Sequence, residues 1–189
     1  HMFDRAKGDS HMAADAQSWT YLLFTDAELE KAGIDADKLL KTTEEKMAVD
    51  VEYLVPETAA PVKVKLFKFG MPKHGYPEQT AYMIWAFEKR ADYWQEKGNA
   101  IKANSYRVKA YVYRAGLDRI KYQGTLPYAT EKAVPTSHEF NTPDGNVSLI
   151  SSLTYYMRNP FDTAPAINSG SVLPDGFDNV FAPLEAKLA

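Results

Sequence analysis

Residues 77–121 read PEQTAYMIWAFEKRADYWQEKGNAIKANSYRVKAYVYRAGLDRIK, and this stretch decides the fold. Pro77 suits the first position of a helix, and Gly98 suits the cap at its end. Between these two residues, apolar side chains recur with helical spacing at Ile84, Phe87, Ala91 and Trp94. A second apolar stripe follows at Ala103, Tyr106, Ala110, Tyr113, Leu117 and Ile120. The sequence therefore predicts two antiparallel helices joined by a short turn at residues 97–99.

This helical hairpin resembles one tetratricopeptide repeat in the spacing of its aromatic and small residues, Phe87, Ala91, Gly98, Ala103 and Ala110. It departs from that family at Arg90, where a leucine is usual, at Arg107, where an aromatic is usual, and at Ala115, where a proline is usual. The resemblance covers about 30 residues, and the sequence shows no second copy. Because such repeats need three or more stacked copies to bury their apolar faces, the residues favour an ordinary antiparallel helix pair.

Weaker patterns flank the hairpin on both sides. Residues 18–24 form a short apolar run, which indicates a strand or a buried extended segment. Residues 25–33 begin with a Thr-x-x-Glu capping box and end with glycine, which predicts a short helix. Residues 34–55 carry a rough apolar stripe and predict a further helix, either continuous or broken near Thr42 and Thr43. Alternating lysines at 62–70 predict an edge strand, and the spacing at 147–157 favours a helix.

Together these patterns predict a mainly α fold of the α+β class. In this prediction the antiparallel hairpin 77–121 packs with further helices and a small strand region. Residues 1–12 contain two His-Met pairs and are interpreted as a cloning remnant. Residues 13–158 are predicted to form a single globular domain. Residues 159–189, which are rich in proline, are predicted to form an extended C-terminal arm that packs over the domain.

Composition excludes several classes of site and leaves the compartment open. The 189 residues contain no cysteine, which excludes disulfides, thiolate metal sites and cysteine nucleophiles. The formal net charge is -3, and no apolar run reaches the roughly 18 residues that a membrane-spanning helix needs. Residues 13–18 would suit a mature N-terminus after removal of a signal peptide, so a periplasmic or secreted location stands beside a cytoplasmic one. The oligomeric state is not fixed by the sequence.

The hairpin is the basic part of an otherwise acidic chain. Between Glu88 and Lys121 nine lysines and arginines face four acids. Arg107, Arg114 and Lys121 are seven residues apart and share a helix face, with Tyr111 close by. Such a face could bind an acidic protein surface, or phosphates with tyrosines stacking on bases. Because the molecule carries both signs of charge, the pattern favours a protein partner over nucleic acid.

Two histidines, His74 and His138, lie outside the probable cloning remnant, and both fall in turn-rich segments. They could serve as a catalytic acid–base pair or hold a metal, provided that the fold brings them together. The local spacing matches no metal-ligand motif, nucleophile elbow or phosphate-binding loop, so the sequence indicates no metal site and no cofactor. By itself, His74 is predicted to be an exposed residue in the turn before a helix.

The sequence therefore favours a non-catalytic protein-binding or assembly module over an enzyme. Its predicted binding residues are Arg107, Arg114, Lys121 and Tyr111. The first alternative is a hydrolase-type or metal-dependent enzyme that uses His74 and His138. The second is a weak nucleic-acid binder that uses the basic hairpin, and a salt-dependent binding assay would test it.

Overall fold

The computed structural model describes residues 12–55, 60–69, 74–121, 124–130 and 147–156. In these residues the fold is mainly helical with a small antiparallel sheet, which confirms the predicted α+β class. The elements are, in chain order, α1 (Ala14–Leu23), α2 (Asp26–Lys31), α3 (Ala36–Met47), β1 (Ala48–Leu54), β2 (Pro61–Phe67), α4 (Pro77–Glu96), α5 (Ala100–Arg119), β3 (Leu126–Pro127), β4 (Val147–Ser148) and α6 (Leu149–Tyr156). The predicted arm at 159–189, and all but the last residue of the predicted remnant at 1–12, lie outside the described residues.

The hairpin of α4 and α5 forms as predicted. Pro77 is the first residue of α4, and Gly98 has a positive φ of 73° in the turn after it. Asn99 caps α5 by accepting a hydrogen bond from the backbone N–H of Lys102 at 3.1 Å. The predicted inner stripe of α5 is buried at Ala103, Tyr106, Ala110, Tyr113, Leu117 and Ile120. Helical spacing in the sequence thus identified the side of α5 that faces the core.

Two predictions for the part of the chain before the hairpin were wrong. Residues 18–24 were predicted as extended, yet most of them belong to α1. The buried side of α1 includes Gln17 and Ser18, and these polar residues hide its helical pattern in the sequence. Residues 34–55 were predicted as one helix, yet α3 ends at Met47 and β1 follows directly.

Strands β1 and β2 form an antiparallel hairpin whose register runs from Ala48 opposite Phe67 to Leu54 opposite Pro61. Asp50 lies opposite Lys65 and Glu52 lies opposite Lys63, so opposite charges face each other across the strands. This pairing with residues further along the chain explains why the segment is a strand although its local pattern suggested a helix.

Helix α5 covers the outer edge of β2. The guanidinium of Arg119 donates a hydrogen bond to the backbone oxygen of Lys63 at 2.8 Å. Gly116 permits this close approach, because a Cβ atom there would lie 3.1 Å from the backbone oxygen of Lys65. On α4, the hydroxyl of Thr80 accepts a hydrogen bond from the backbone N–H of Phe67 at 2.9 Å. The strand is therefore attached to both helices of the hairpin.

Smaller elements complete the fold. Thr25 and Glu28 form the predicted capping box at the start of α2. The predicted helix at 147–157 is present as α6, and it follows the short strand β4, which pairs with β3. Lys89 of α4 donates hydrogen bonds to the backbone oxygens of Tyr21 and Leu22 at the end of α1.

None of the described helices has both the length and the apolar character needed to cross a bilayer.

One buried apolar cluster joins α1, α3, α4 and α5 with the sheet. At its centre three aromatic rings meet. The ring of Phe67 lies 4.6 Å from that of Tyr113 and 6.3 Å from that of Phe87, measured between centroids. The core therefore fixes the inner side of α5 and leaves its outer side toward solvent.

Candidate protein-binding face

The outer side of α5 exposes four large side chains. Ile101 is 86% exposed, Tyr111 72%, Val108 53% and Val112 46%. At 3.6 residues per turn these positions lie on the side of the helix opposite its buried stripe. We call Ile101, Val108, Tyr111 and Val112 the α5 face. A helix that is apolar on both sides is typical of a protein interior, so the outer side of α5 is unusually apolar for a surface helix.

Basic residues lie on both margins of the α5 face, toward α4 and toward α3. Each pairs with an acid on the neighbouring helix: Arg107 with Asp92, Arg114 with Glu88, Lys102 with Asp37 and Lys109 with Glu44. The Arg107 pair is wide, at 3.8 Å, and both of its side chains are exposed, so it contributes little energy and leaves the guanidinium accessible. The other three bases lie 3.2 Å or less from their acids, so Arg107 is the most weakly paired cation on the margins.

The four predicted binding residues do not all share one surface. Tyr111 belongs to the α5 face, and Arg107 and Arg114 lie on its α4 margin, where Arg114 donates to Glu88 at 2.6 Å. Lys121 follows the end of α5 and lies 2.6 Å from the carboxylate of Asp118. Its ammonium also lies 4.1 Å from the ring centroid of a tyrosine on α6. Lys121 therefore belongs to the contact between α5 and α6.

The electrostatics of Lys121 support this assignment. Burial alone would lower the pKa of its ammonium, but the hydrogen bond with Asp118 raises the pKa above its ordinary value. Lys121 is therefore charged and locally paired at neutral pH.

Sequence reasoning identified the cations of this region and missed the apolar residues between them. Ile101, Val108 and Val112 are spaced i, i+7 and i+11, which is itself a helical pattern. The pattern was overlooked because the stronger stripe on the opposite side of α5 already accounted for the helix. A search for a second apolar stripe on the same helix would have found it.

The predicted catalytic pair cannot be assembled from the described residues. His74 lies just before α4 and is half-buried, where the sequence suggested full exposure. His138 lies outside the described residues, so the meeting of the two histidines stays a prediction. Within the described ranges, no cluster of three or more histidines, aspartates and glutamates has the geometry of a metal site.

Asp37, near the start of α3, accepts hydrogen bonds from four side chains. Its Oδ1 accepts from Arg90 Nε at 2.6 Å, from Tyr106 OH at 2.8 Å and from Trp94 Nε1 at 3.0 Å. Its Oδ2 accepts from Lys102 Nζ at 3.2 Å. This carboxylate therefore connects α3 to both helices of the hairpin.

Arg90, the main donor to Asp37, is buried and fully surrounded. Its guanidinium also pairs with Asp26 of α2 and lies 4.3 Å from the ring centroid of Tyr93 and 4.9 Å from that of Trp94. Burial alone would raise the pKa of Asp37, but the hydrogen bonds from Arg90 and its neighbours outweigh burial and hold the pKa well below its usual range. The charges of this cluster satisfy one another, so its chemistry is that of a structural junction.

The low pKa of Asp37 predicts an acid-dependent loss of stability. A carboxyl whose pKa is depressed on folding contributes stability above its unfolded pKa of about 3.9. That contribution is lost as the pH falls through the lower, folded value. We expect the difference in free energy of unfolding between the wild type and Asp37→Asn to be constant from about pH 7 to 5 and to shrink by roughly 1 kcal/mol by about pH 3. Urea titrations at several pH values measure it, and a difference unchanged at pH 3 would contradict the prediction.

A second carboxyl with an altered pKa lies at the start of α4. Burial raises the pKa of Glu78, whose carboxylate accepts a hydrogen bond from the hydroxyl of Tyr82 at 3.1 Å. Burial, together with the nearby charge of Glu78, raises the pKa of Tyr82 to about 12. The tyrosine therefore stays protonated and serves as a hydrogen-bond donor to the carboxyl.

Comparisons of the chain with protein-family models, with curated proteins and with solved structures find no significant match.

Proposed function

We propose that the protein is a non-catalytic protein-binding module and that it holds its partner on the α5 face. The observation that carries this proposal is the row of exposed apolar side chains on a helix whose other side is fully buried. Several large apolar side chains exposed on one side of a helix are a common feature of protein interaction sites.

Two exposed arginines of α5, Arg107 and Arg119, support a partner with acidic residues beside its apolar ones. Arg107 is exposed, with a wide pair to Asp92 and a hydrogen bond to the side-chain oxygen of Gln95 at 3.3 Å. The guanidinium of Arg119 binds only a backbone oxygen among the contacts that the structure shows. Both guanidinium groups can reach a carboxylate at the rim of an interface, where such pairs increase the association rate and select the partner. Tyr111 combines a large ring with a polar hydroxyl, which suits the centre of an interface.

The partner can be identified by site-specific photo-crosslinking. A photoreactive phenylalanine at position 111 should give a discrete covalent adduct in cells of the source organism. The same residue at position 54, where Leu54 is 56% exposed at the end of β1, is the matched control. The adduct identifies the partner by mass, and the partner is then purified for binding measurements.

Charge introduced into the α5 face should abolish this binding without unfolding the protein. We expect Val108→Asp and Val112→Asp each to weaken the affinity for the purified partner at least tenfold, or about 1.4 kcal/mol, because each places an unpaired carboxylate in an apolar contact. Both side chains are exposed, so thermal stability should change little. Isothermal titration calorimetry measures the affinity.

Leu54→Asp makes the same chemical change on a different surface and should leave the affinity unchanged. If Val108→Asp binds as tightly as Leu54→Asp, the α5 face is not the binding site and the proposal is wrong.

A further inference from the structure

The chain leaves the described structure beside one end of the α5 face. Helix α6 ends at Tyr156, whose hydroxyl donates a hydrogen bond to the backbone oxygen of Gly124 at 2.7 Å. The hydroxyl of Tyr155 donates to the carboxylate of Asp118, one residue before the end of α5. Residues after 156 therefore begin next to the C-terminal end of the exposed helix.

The sequence that follows contains a segment that combines apolar side chains with acids, and the α5 face itself has no acid. Residues 172–188 include seven large apolar side chains: Val172, Leu173, Phe177, Val180, Phe181, Leu184 and Leu188. The same segment has three acids, Asp175, Asp178 and Glu185, against one base, Lys187. Apolar residues flanked by acids complement an apolar helix side that also exposes Arg107 and Arg119.

The connection is long enough for this segment to reach any part of the face. The 20 residues of α5 extend over about 30 Å at 1.5 Å per residue. Residues 157–171 can span up to about 50 Å when extended, at roughly 3.3 Å per residue. A linker of this length also gives the tethered segment a high effective concentration at the face, on the millimolar scale.

We propose that residues 172–188 bind the α5 face of their own chain. A second copy is the less favourable occupant, because packing two α5 helices together would bring Arg107 and Arg119 of both chains into one interface without added acids. This inference builds on the proposed function in one respect: a partner protein must displace the segment. The partner is therefore expected to present the same chemistry, namely apolar side chains beside aspartate or glutamate.

The absence of cysteine from the whole chain allows a direct test in the full-length protein. The pair Ser105→Cys and Ala182→Cys places thiols beside the face and within the segment while keeping every apolar residue of both. Ser105 is exposed on α5 next to Val108. With oxidised glutathione at a fixed concentration as the oxidant, we expect the intramolecular disulfide to form at least tenfold faster than in the control pair Glu30→Cys and Ala182→Cys. Glu30 is an exposed residue on α2.

Two further results are expected. The disulfide rate should not change on tenfold dilution, and Val108→Asp in the Ser105→Cys, Ala182→Cys background should slow it at least tenfold. Equal rates in the test and control pairs would overturn the inference. A rate that falls on dilution, with disulfide-linked dimers as the product, would overturn it in favour of a second copy.

The disulfide test and the partner-binding test fail separately. If the disulfide forms at equal rates in the test and control pairs but Val108→Asp still weakens partner binding, residues 172–188 do not bind the α5 face and the proposed function stands. If the disulfide forms as expected while Val108→Asp leaves partner binding unchanged, the segment binds the face and the proposed function is wrong.

Discussion

Replacing Asp37 by alanine is expected to lower the free energy of unfolding by about 3 kcal/mol, the lower end of the range for breaking a buried ion pair. The substitution leaves buried Arg90 with Asp26 as its remaining carboxylate and removes the acceptor of Trp94 Nε1 and Tyr106 OH. Buried donors without acceptors carry their full desolvation penalty. Denaturant unfolding followed by circular dichroism measures the change.

Two variants separate the ion pair from a general loss of charge. Asp37→Asn keeps an oxygen that accepts hydrogen bonds, and we expect it to cost about half as much as alanine. Asp50→Ala removes an exposed acid of β1 and should change stability by less than about 0.5 kcal/mol. If Asp37→Ala costs no more than Asp50→Ala, the cluster around Arg90 does not hold the helices together.

The second large effect is expected at Phe67, the last residue of β2. Its side chain is fully buried between the rings of Phe87 and Tyr113. Phe67→Ala removes most of this side chain and leaves a cavity, which typically costs about 3–5 kcal/mol. Because Phe67 joins the sheet to α4 and α5, the loss should appear as a lower midpoint of a single cooperative unfolding transition.

The neighbouring Phe69 provides a matched control. Its side chain is 40% exposed, and its ring lies 6.1 Å from that of Tyr76. We expect Phe69→Ala to cost about 1 kcal/mol, since less apolar area returns to water. Equal destabilisation by the two substitutions would show that the aromatic cluster around Phe67 is not the centre of the core.

The helical hairpin was predictable because its determinants are local. Pro77, Gly98 and the two apolar stripes all lie within 45 residues, and each acts through backbone geometry or helical spacing. The burial of Tyr106 and Tyr113 followed directly from that spacing.

Strand β2 was predicted from its alternating residues, but its partner β1 and the ion-pair cluster were not, because their determinants lie far apart in the chain. The segment 48–54 is a strand because it pairs with β2. It follows α3 directly, so in the sequence it looks like a continuation of that helix. Asp37 and Arg90 are 53 residues apart, and neither shows a local sign of its partner. In the sequence, Arg90 stood out only as a charged residue where the tetratricopeptide pattern usually has a leucine, and a charge at an apolar position is a sign of a buried ion pair.

The α5 face was predictable in part. Its cations and Tyr111 were identified from charge and spacing, whereas Ile101, Val108 and Val112 were not singled out. Which apolar residues of a helix face solvent depends on the position of its neighbours, and that position is a property of the whole fold.

The long-range bonds between α1 and α4 have a consequence for synthesis on the ribosome. Lys89 binds the backbone of Tyr21, 68 residues earlier in the chain. At about 5–20 residues per second, the ribosome needs roughly 3–14 s to add that stretch. During this interval the first helices have been made but α4, on which they pack, has not. Tyr21, Leu22 and Leu40, which are buried in the folded protein, therefore remain exposed to water. The nascent chain is therefore most vulnerable to aggregation and to chaperone capture before α4 emerges.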